Sequence, residues 1–340
     1  MRALVVRSHR RCDTFIAKLQ ERGVQVETLD FDAANWNKTH FGAFDIVIYY
    51  PEFSFTSNHP LALWKTKDNF AYVASQCRPG AAVYPDPGLI PFYNDKYRQY
   101  LFLSGTDLPI PETLALVSDS AVEQAIRTFG WPMVVKNRFG AGGDSVFKVE
   151  RGRDLRALYD LSRLNLTPGW SWIKVARQAF KREFWYYFKN GQLLYPVPSW
   201  PLIAQRFYNI QRDLKIVVGE GSVVEAHWRR PARRNMWKMN IDAGAVGEWG
   251  FVPERAIEIG ERLASTLGAG WLNVDLLETD NRFLIGEFSP VWHHYKYREK
   301  ESFVYSKDYN IPVPLERALD LEGLIVDGLL RRLEGSRQLV

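Results

Sequence analysis

The sequence predicts an α/β protein with α+β character, and three observations lead there. The first ninety residues alternate short apolar runs with helical stretches, a βαβ rhythm that builds a small parallel sheet with helices on its faces. Further on, apolar runs are joined by tight turns, as antiparallel strands are. At 340 residues the chain exceeds one average domain, and its 46% hydrophobic and 24% charged residues exclude the disordered and fibrous classes.

The elements follow in order. Ala3 to Val6 reads as a strand, a helix around Phe15 to Leu19 stops at Gly23, and Val24 to Leu29 and Ile46 to Tyr50 are the next strands. The segment Arg7 to Arg11 after the first strand holds no glycine, so the dinucleotide-binding fingerprint is missing. Pro79 to Tyr93 carries four prolines and two glycines and reads as a connection between units. A helix then starts from Asn94 as N-cap and runs through Leu103 to Gly105. Ser120 and Glu123 form a capping box for a helix whose Val122, Ala125, Ile126 and Phe129 share one face until Gly130. Trp131 to Lys136 and Val146 to Val149 are strands flanking a glycine-rich loop. Leu202 to Tyr208 and Asp213 to Gly219 follow as strands, and Gly219-Glu-Gly221 turns the chain into Val223 to Arg229. A helix from Pro253 to Leu267 ends at Gly268, Trp271 to Leu277 and Phe283 to Phe288 form a hairpin, and Leu315 to Leu333 is a packing helix. These elements divide into units at 1–93, 94–201 and 202–340.

No run of eighteen apolar residues exists, and the N-terminus is charged too soon for a signal peptide, so a cytoplasmic protein without membrane contact is expected. Cys12 and Cys77 make neither a metal knuckle nor a disulfide framework. The formal net charge of +5 suits a binder of nucleic acid, of a membrane surface or of anionic substrates. Part of it clusters in Arg229, Arg230, Arg233, Arg234 and Lys238, which would hold phosphate or carboxylate through forked bonds, bind nucleic acid beside the interleaved tryptophans, or form a solvated basic loop.

Lys136 ends an apolar strand, and the glycines after it let backbone amides approach an anion that the ammonium neutralises; a glycine-rich hairpin with a solvated lysine is the alternative. The order is wrong for a Walker A loop, which puts the lysine after the glycines. Lys96 lies in the first turn of its helix, where it opposes the dipole unless it meets a phosphate; an exposed lysine is the rival reading. Asp275 and Glu287 sit in adjacent, otherwise apolar strands, and a hard cation would resolve their repulsion, with surface carboxylates as the alternative. His293 and His294 have no other histidine nearby in sequence to complete a metal site and read as lining or packed residues, as do the aromatic runs Phe184 to Phe188 and Trp292 to Tyr295.

In order, Asn94-Asp-Lys96, Val134-Val-Lys136 with its loop, Arg212-Asp-Leu-Lys215, Asn273-Val-Asp275 and Gly286-Glu-Phe-Ser-Pro290 resemble the ATP-grasp superfamily. The pattern is most similar to the branch of glutathione synthetase and the ribosomal-protein glutamate ligases and spans roughly residues 90 to 300. The resemblance implies an ATP-grasp fold preceded by a parallel α/β domain over residues 1–93. It implies that Lys96 and Lys136 contact ATP phosphates, that the loop with Gly140, Gly142, Gly143 and Ser145 closes over them, and that Gln205, Phe207 and Tyr208 line the adenine pocket. Asp275, Glu287 and Ser289 would hold Mg2+, while Lys215, Arg230, Lys238 and Asn240 would surround the transferred group. Departures are Ser289 where the family places an asparagine, which leaves a second magnesium without its usual ligand, Arg206 in place of an acid, and Asn273 where D-alanine:D-alanine ligases carry an arginine.

The function expected is an ATP-dependent carboxylate–amine (or thiol) ligase acting through an acyl phosphate. Its partners would be a small-molecule or peptide carboxylate and an amine acceptor. An ATP-grasp kinase and a non-catalytic polyanion or nucleic-acid binder are the rivals, nucleic acid being the less favoured partner; a homodimer is compatible with the sequence, which does not decide the oligomeric state.

Overall fold

A computed structural model describes residues 1–7, 11–51, 60–140, 143, 145–163, 173, 177, 180, 199–233, 236–239, 244–248, 250–280, 282–292, 302–305, 312–315 and 319–337. Gly142, Arg234, Asn240, His293, His294 and the aromatic run 184–188 lie outside them.

The chain begins with the expected parallel sheet. Strands β1 (Arg2–Val6), β2 (Gln25–Leu29), β3 (Ile46–Tyr49) and β4 (Ala82–Tyr84) pair in the order β2-β1-β3-β4, all parallel. The fourth strand lies inside the stretch read as a connection. Its three residues are too few to show periodicity between flanking turns, yet all three are buried. Alternation sends Ala3, Val5, Ile46 and Ile48 to one face, where helix α1 (Arg11–Glu21) adds Phe15 and Leu19. On the other face, Leu4, Val6, Val47 and Tyr49 pack against Phe70 and Val73 of helix α2 (Pro60–Gln76), which the sequence reading did not find.

A second, antiparallel sheet holds β5 (Thr113–Leu116), β6 (Met133–Lys136), β7 (Val146–Val149) and β8 (Leu202–Arg206) in the order β5-β8-β6-β7. Strand β8, just after residue 201, therefore pairs with β5 and β6 in this sheet. Helices α3 (Lys96–Leu103), α4 (Asp119–Phe129) and α5 (Gly152–Ser162) accompany it, and α4 and α5 bury Val122, Phe129, Leu155 and Leu158 against Met133, Val135 and Ala204. Two caps shift. Asn94 takes a left-handed turn with φ of 49°, and Asp95 caps α3 by accepting from the Arg98 amide. Ser118, not Ser120, caps α4, accepting from the Ala121 amide at 3.2 Å.

The third sheet carries β9 (Arg212–Gly219), β10 (Ser222–Arg230), β11 (Val246–Glu248), β12 (Trp271–Thr279) and β13 (Arg282–Ser289), antiparallel in the order β11-β10-β9-β12-β13. Helix α6 (Glu254–Leu267) covers one face, packing Ala256, Ile259 and Leu263 on Leu214, Ile216, Val274 and Leu276. Strands β14 (Ser302–Tyr305) and β15 (Pro312–Leu315) form an antiparallel pair. The last helix, α7 (Leu321–Arg337), starts six residues later than expected because Leu315 ends β15. It returns to the first sheet, setting Leu321, Ile325 and Leu329 in the core with Phe15 and Leu19. The buried Arg11 of α1 pairs there with Glu322, so the end of the chain is built into the N-terminal unit.

Candidate active site

Helices α4 and α5 pack on one face of the second sheet and α6 on one face of the third, and the candidate residues lie on the opposite faces. In β9, Leu214, Ile216 and Val218 enter the core beneath α6, so period-two alternation places Asp213 and Lys215 on the other face. The same rule sets Asp275 on that face between the core residues Val274 and Leu276.

Strand β13 breaks the rule at one point. Ile285 and Phe288 both enter the core although they stand three positions apart, an odd step. A bulge makes this consistent: Asp275 lies opposite Glu287 and Leu276 opposite Ile285, leaving Gly286 as the extra residue. In an unbulged strand Glu287 would share the face of Ile285; the bulge turns it toward the cleft, directly across from Asp275. A side chain at Gly286 would meet Leu277 at 3.1 Å, so glycine suits the bulge.

Four cations gather around the two carboxylates. Lys215 Nζ donates to Asp275 at 3.0 Å and Arg229 Nη2 to its other oxygen at 2.8 Å. Lys96 Nζ stands 3.6 Å from Glu287 and also donates to the Gly140 carbonyl. Lys136, at the end of β6, lies 3.5 Å from the Gly286 carbonyl oxygen. Burial raises the carboxyl of Asp275, but Arg229 and Lys215 outweigh it and hold the group below the usual carboxylate range. Lys136 is lowered to about 8, by burial first, against the pull of Glu287 and with the repulsion of Lys96.

The structure thus brings Lys96, Lys136, Lys215, Asp275 and Glu287 together. It does not bring Arg230 there. Trp228 faces the core, Arg229 the cleft, and Arg230 falls on the outer side, half-exposed and paired with Glu248. The buried arginine of the site is Arg229, which grips Asp213 with two bonds of 2.7 Å. Counting alternation back from the apolar Trp228 is the signal that would have separated the two arginines.

The glycine loop stands at the rim. Ser145 is buried beside Gly140, whose φ is 127°, and Lys238, in the connection between β10 and β11, donates to the Gly143 carbonyl at 2.9 Å. Gln205 is on the face of β8 opposite the core residues Leu202 and Ala204, donating to Thr113 Oγ1 at 3.0 Å. Phe207 lies 4.7 Å beneath the Lys148 ammonium and 6.5 Å from the ring of Trp237. Tyr208 turns elsewhere, its hydroxyl 3.5 Å from the Glu112 amide and its ring below Arg282. Arg206 pairs with Glu112 on the outside. Ser289 uses its hydroxyl locally, donating to the Val291 carbonyl and accepting from the Val291 amide.

Among the described residues no three acidic, histidine or cysteine side chains converge as a metal cage. Two facing carboxylates fit magnesium, which keeps several waters and is shared with substrate phosphates. Among the described residues no helix is long and apolar enough to cross a membrane.

No family model matches the chain. A curated relative, the tetrahydromethanopterin:alpha-L-glutamate ligase of Methanosarcina acetivorans, is 26% identical over 199 residues, 58% of this chain and 54% of the relative. The chain therefore matches about half the length of that relative. A D-cycloserine synthetase structure is similar with a TM-score of 0.61 at 14% identity, over 98% of this chain and 100% of that one. The RimK domain ATP-grasp protein of Sphaerobacter thermophilus is similar with a TM-score of 0.55 at 16% identity, over 97% and 100%. The D-alanine–D-alanine ligase of Bacillus anthracis reaches 0.60 at 12% identity, over 99% of both chains. Along nearly its whole length this chain therefore has the fold of solved ATP-grasp proteins, and over 199 residues it is similar in sequence to a glutamate ligase.

Proposed function

We propose that the chain is an ATP-dependent ligase joining a carboxylate to an amine, or to a thiol, through an acyl phosphate. The observation that carries this reading is the cross-strand pair Asp275 and Glu287 ringed by Lys96, Lys136, Lys215 and Arg229. More cations than carboxylates meet at one place, which suits a polyphosphate.

In the first step a carboxylate oxygen of the substrate attacks the γ-phosphorus of ATP, and the β–γ bridging oxygen leaves with ADP. In the second the acceptor nitrogen attacks the acyl carbon, the acyl C–O bond breaks, and phosphate departs while the ammonium sheds a proton. Lys96 and Lys136 would hold the phosphates as charge moves, and the loop carrying Gly140 and Ser145 would exclude water from the acyl phosphate. Lys215 and Arg229 keep Asp275 ionised, so that it and Glu287 would hold magnesium, which supplies charge neutralisation across the phosphates. Gln205 and Phe207 would border the base. Lys238, already at Gly143, would follow the loop as it closes. A cytoplasmic setting and division into the first sheet, the second sheet through β8, and the third sheet complete the reading.

The test measures ADP release over a panel of carboxylates with and without amino-acid acceptors, and traps the product with hydroxylamine. Hydroxamate in the absence of acceptor is expected, and its loss is expected in Asp275→Asn with Glu287→Gln. ADP release that survives unchanged in the double variant would sink the assignment of the site. ADP release without hydroxamate, accompanied by a phosphorylated product, would replace the ligase with a kinase.

A further inference from the structure

One buried carboxylate beside the phosphate-binding lysine has no part in that chemistry. Asp95 is 1% exposed and stands between Asn94 and Lys96. It accepts a fork from Arg138, Nε at 3.1 Å and Nη2 at 2.9 Å, and caps helix α3 through the Arg98 amide at 3.1 Å. Two further cations stand near it, Arg98 at 3.7 Å and Lys67 at 3.8 Å.

The location of Arg138 gives this arrangement its consequence. Arg138 lies two residues before Gly140, and its carbonyl accepts from the Lys96 amide at 2.9 Å. Asp95 also bridges the backbone of Phe139. The fork therefore sets the start of α3 against the entry of the glycine loop, and with it the reach of Lys96 toward Gly140 and Glu287. Helix α2 of the N-terminal unit meets the same point, where Trp64 packs edge-on to Phe139 at 6.2 Å and Lys67 joins Asp95.

We propose that Asp95, through its fork with Arg138, is a positioning residue that aims Lys96 and the glycine loop at the nucleotide phosphates. The inference rests on the ATP reading above. A charged group that acted only on overall stability would weaken every ligand alike. One that acts through Lys96 weakens phosphate recognition alone.

The experiment titrates the full chain and its variants with ADP and a non-hydrolysable ATP analogue by calorimetry, and with adenosine by NMR. Asp95→Asn is expected to lose about tenfold in affinity for both phosphorylated ligands, the worth of one charge-assisted bond. Adenosine affinity should stay within about twofold, and adding Asp95→Asn to Lys96→Met should cost less than about twofold more, the limit set by additivity of independent sites. Arg138→Gln, which removes the fork and leaves the cap, should reproduce the loss and decides the matter if Asp95→Asn does not fold. Equal losses for adenosine and ADP, full additivity with Lys96→Met, or an unchanged ADP affinity would overturn the positioning role while wild-type ATP binding stands. Wild-type protein that binds neither ADP nor the analogue would overturn the ATP reading itself.

Discussion

Replacing Arg229 by methionine, with Arg230→Met as its neighbour in sequence, tests the strand geometry of the site. Arg229 is 3% exposed and holds Asp213 by two bonds of 2.7 Å and Asp275 by one of 2.8 Å. Removing it leaves the buried Asp213 and the partly buried Asp275 with Lys215 as the remaining cation of this group, and stranding a buried charge costs about 3–5 kcal/mol. Arg230 and Glu248 are both half-exposed, and such surface pairs are worth about 0–1 kcal/mol. Two adjacent arginines of the same chemistry should therefore differ several-fold in effect. The pH dependence carries a second signature. Burial already pushes Asp213 up to about 6 against the pull of Arg229, and without Arg229 its folded pKa rises further above the unfolded value. A raised carboxyl binds its proton more tightly in the folded chain, so the variant gains on wild type as pH falls toward 5 and loses ground as pH rises through the folded pKa. Urea unfolding of both variants at pH 5, 7 and 8 measures this. An equal cost for the two substitutions, or a deficit of Arg229→Met that does not change with pH, would refute the placement of Arg229 between the two aspartates.

Two more outcomes are expected. Lys136, lowered to about 8 by burial, is largely neutral at pH 9 in the folded chain, whereas the unfolded lysine keeps its proton up to about 10.5; its contribution to stability therefore rises with pH across that window. Phosphate would restore the proton, so calorimetry at pH 9 in buffers of different ionisation enthalpy should show proton uptake on ADP binding that disappears in Lys136→Met; no uptake in wild type would contradict it. Gly140→Ala would set a Cβ 2.6 Å from the buried Ser145 Oγ at a φ of 127°, a conformation that costs a side chain about 1–3 kcal/mol. Faster hydrogen exchange over 138–146 and weaker ADP binding should follow, and unchanged values for both would show that the loop does not need its glycine there.

The amino-acid sequence determined by itself those features that depend on neighbours along the chain. The parallel opening sheet, helices α4 and α6 and the hairpin of β12 and β13 are written in local periodicity, and the spaced lysines, glycine loop and two acids are legible there as candidate site residues. Tertiary structure decided which side chains meet. Strand β4 is too short to be seen except as the fourth member of a sheet, β8 joins β5 and β6 across long separations, and α7 closes the N-terminal core. Arg229 replaces Arg230 because one step along a strand reverses the face a side chain occupies. Glu287 faces Asp275 because a bulge at Gly286 reverses that alternation once more. Residue spacing records which groups are present. Their facing depends on pairing between distant strands, which only the folded chain contains.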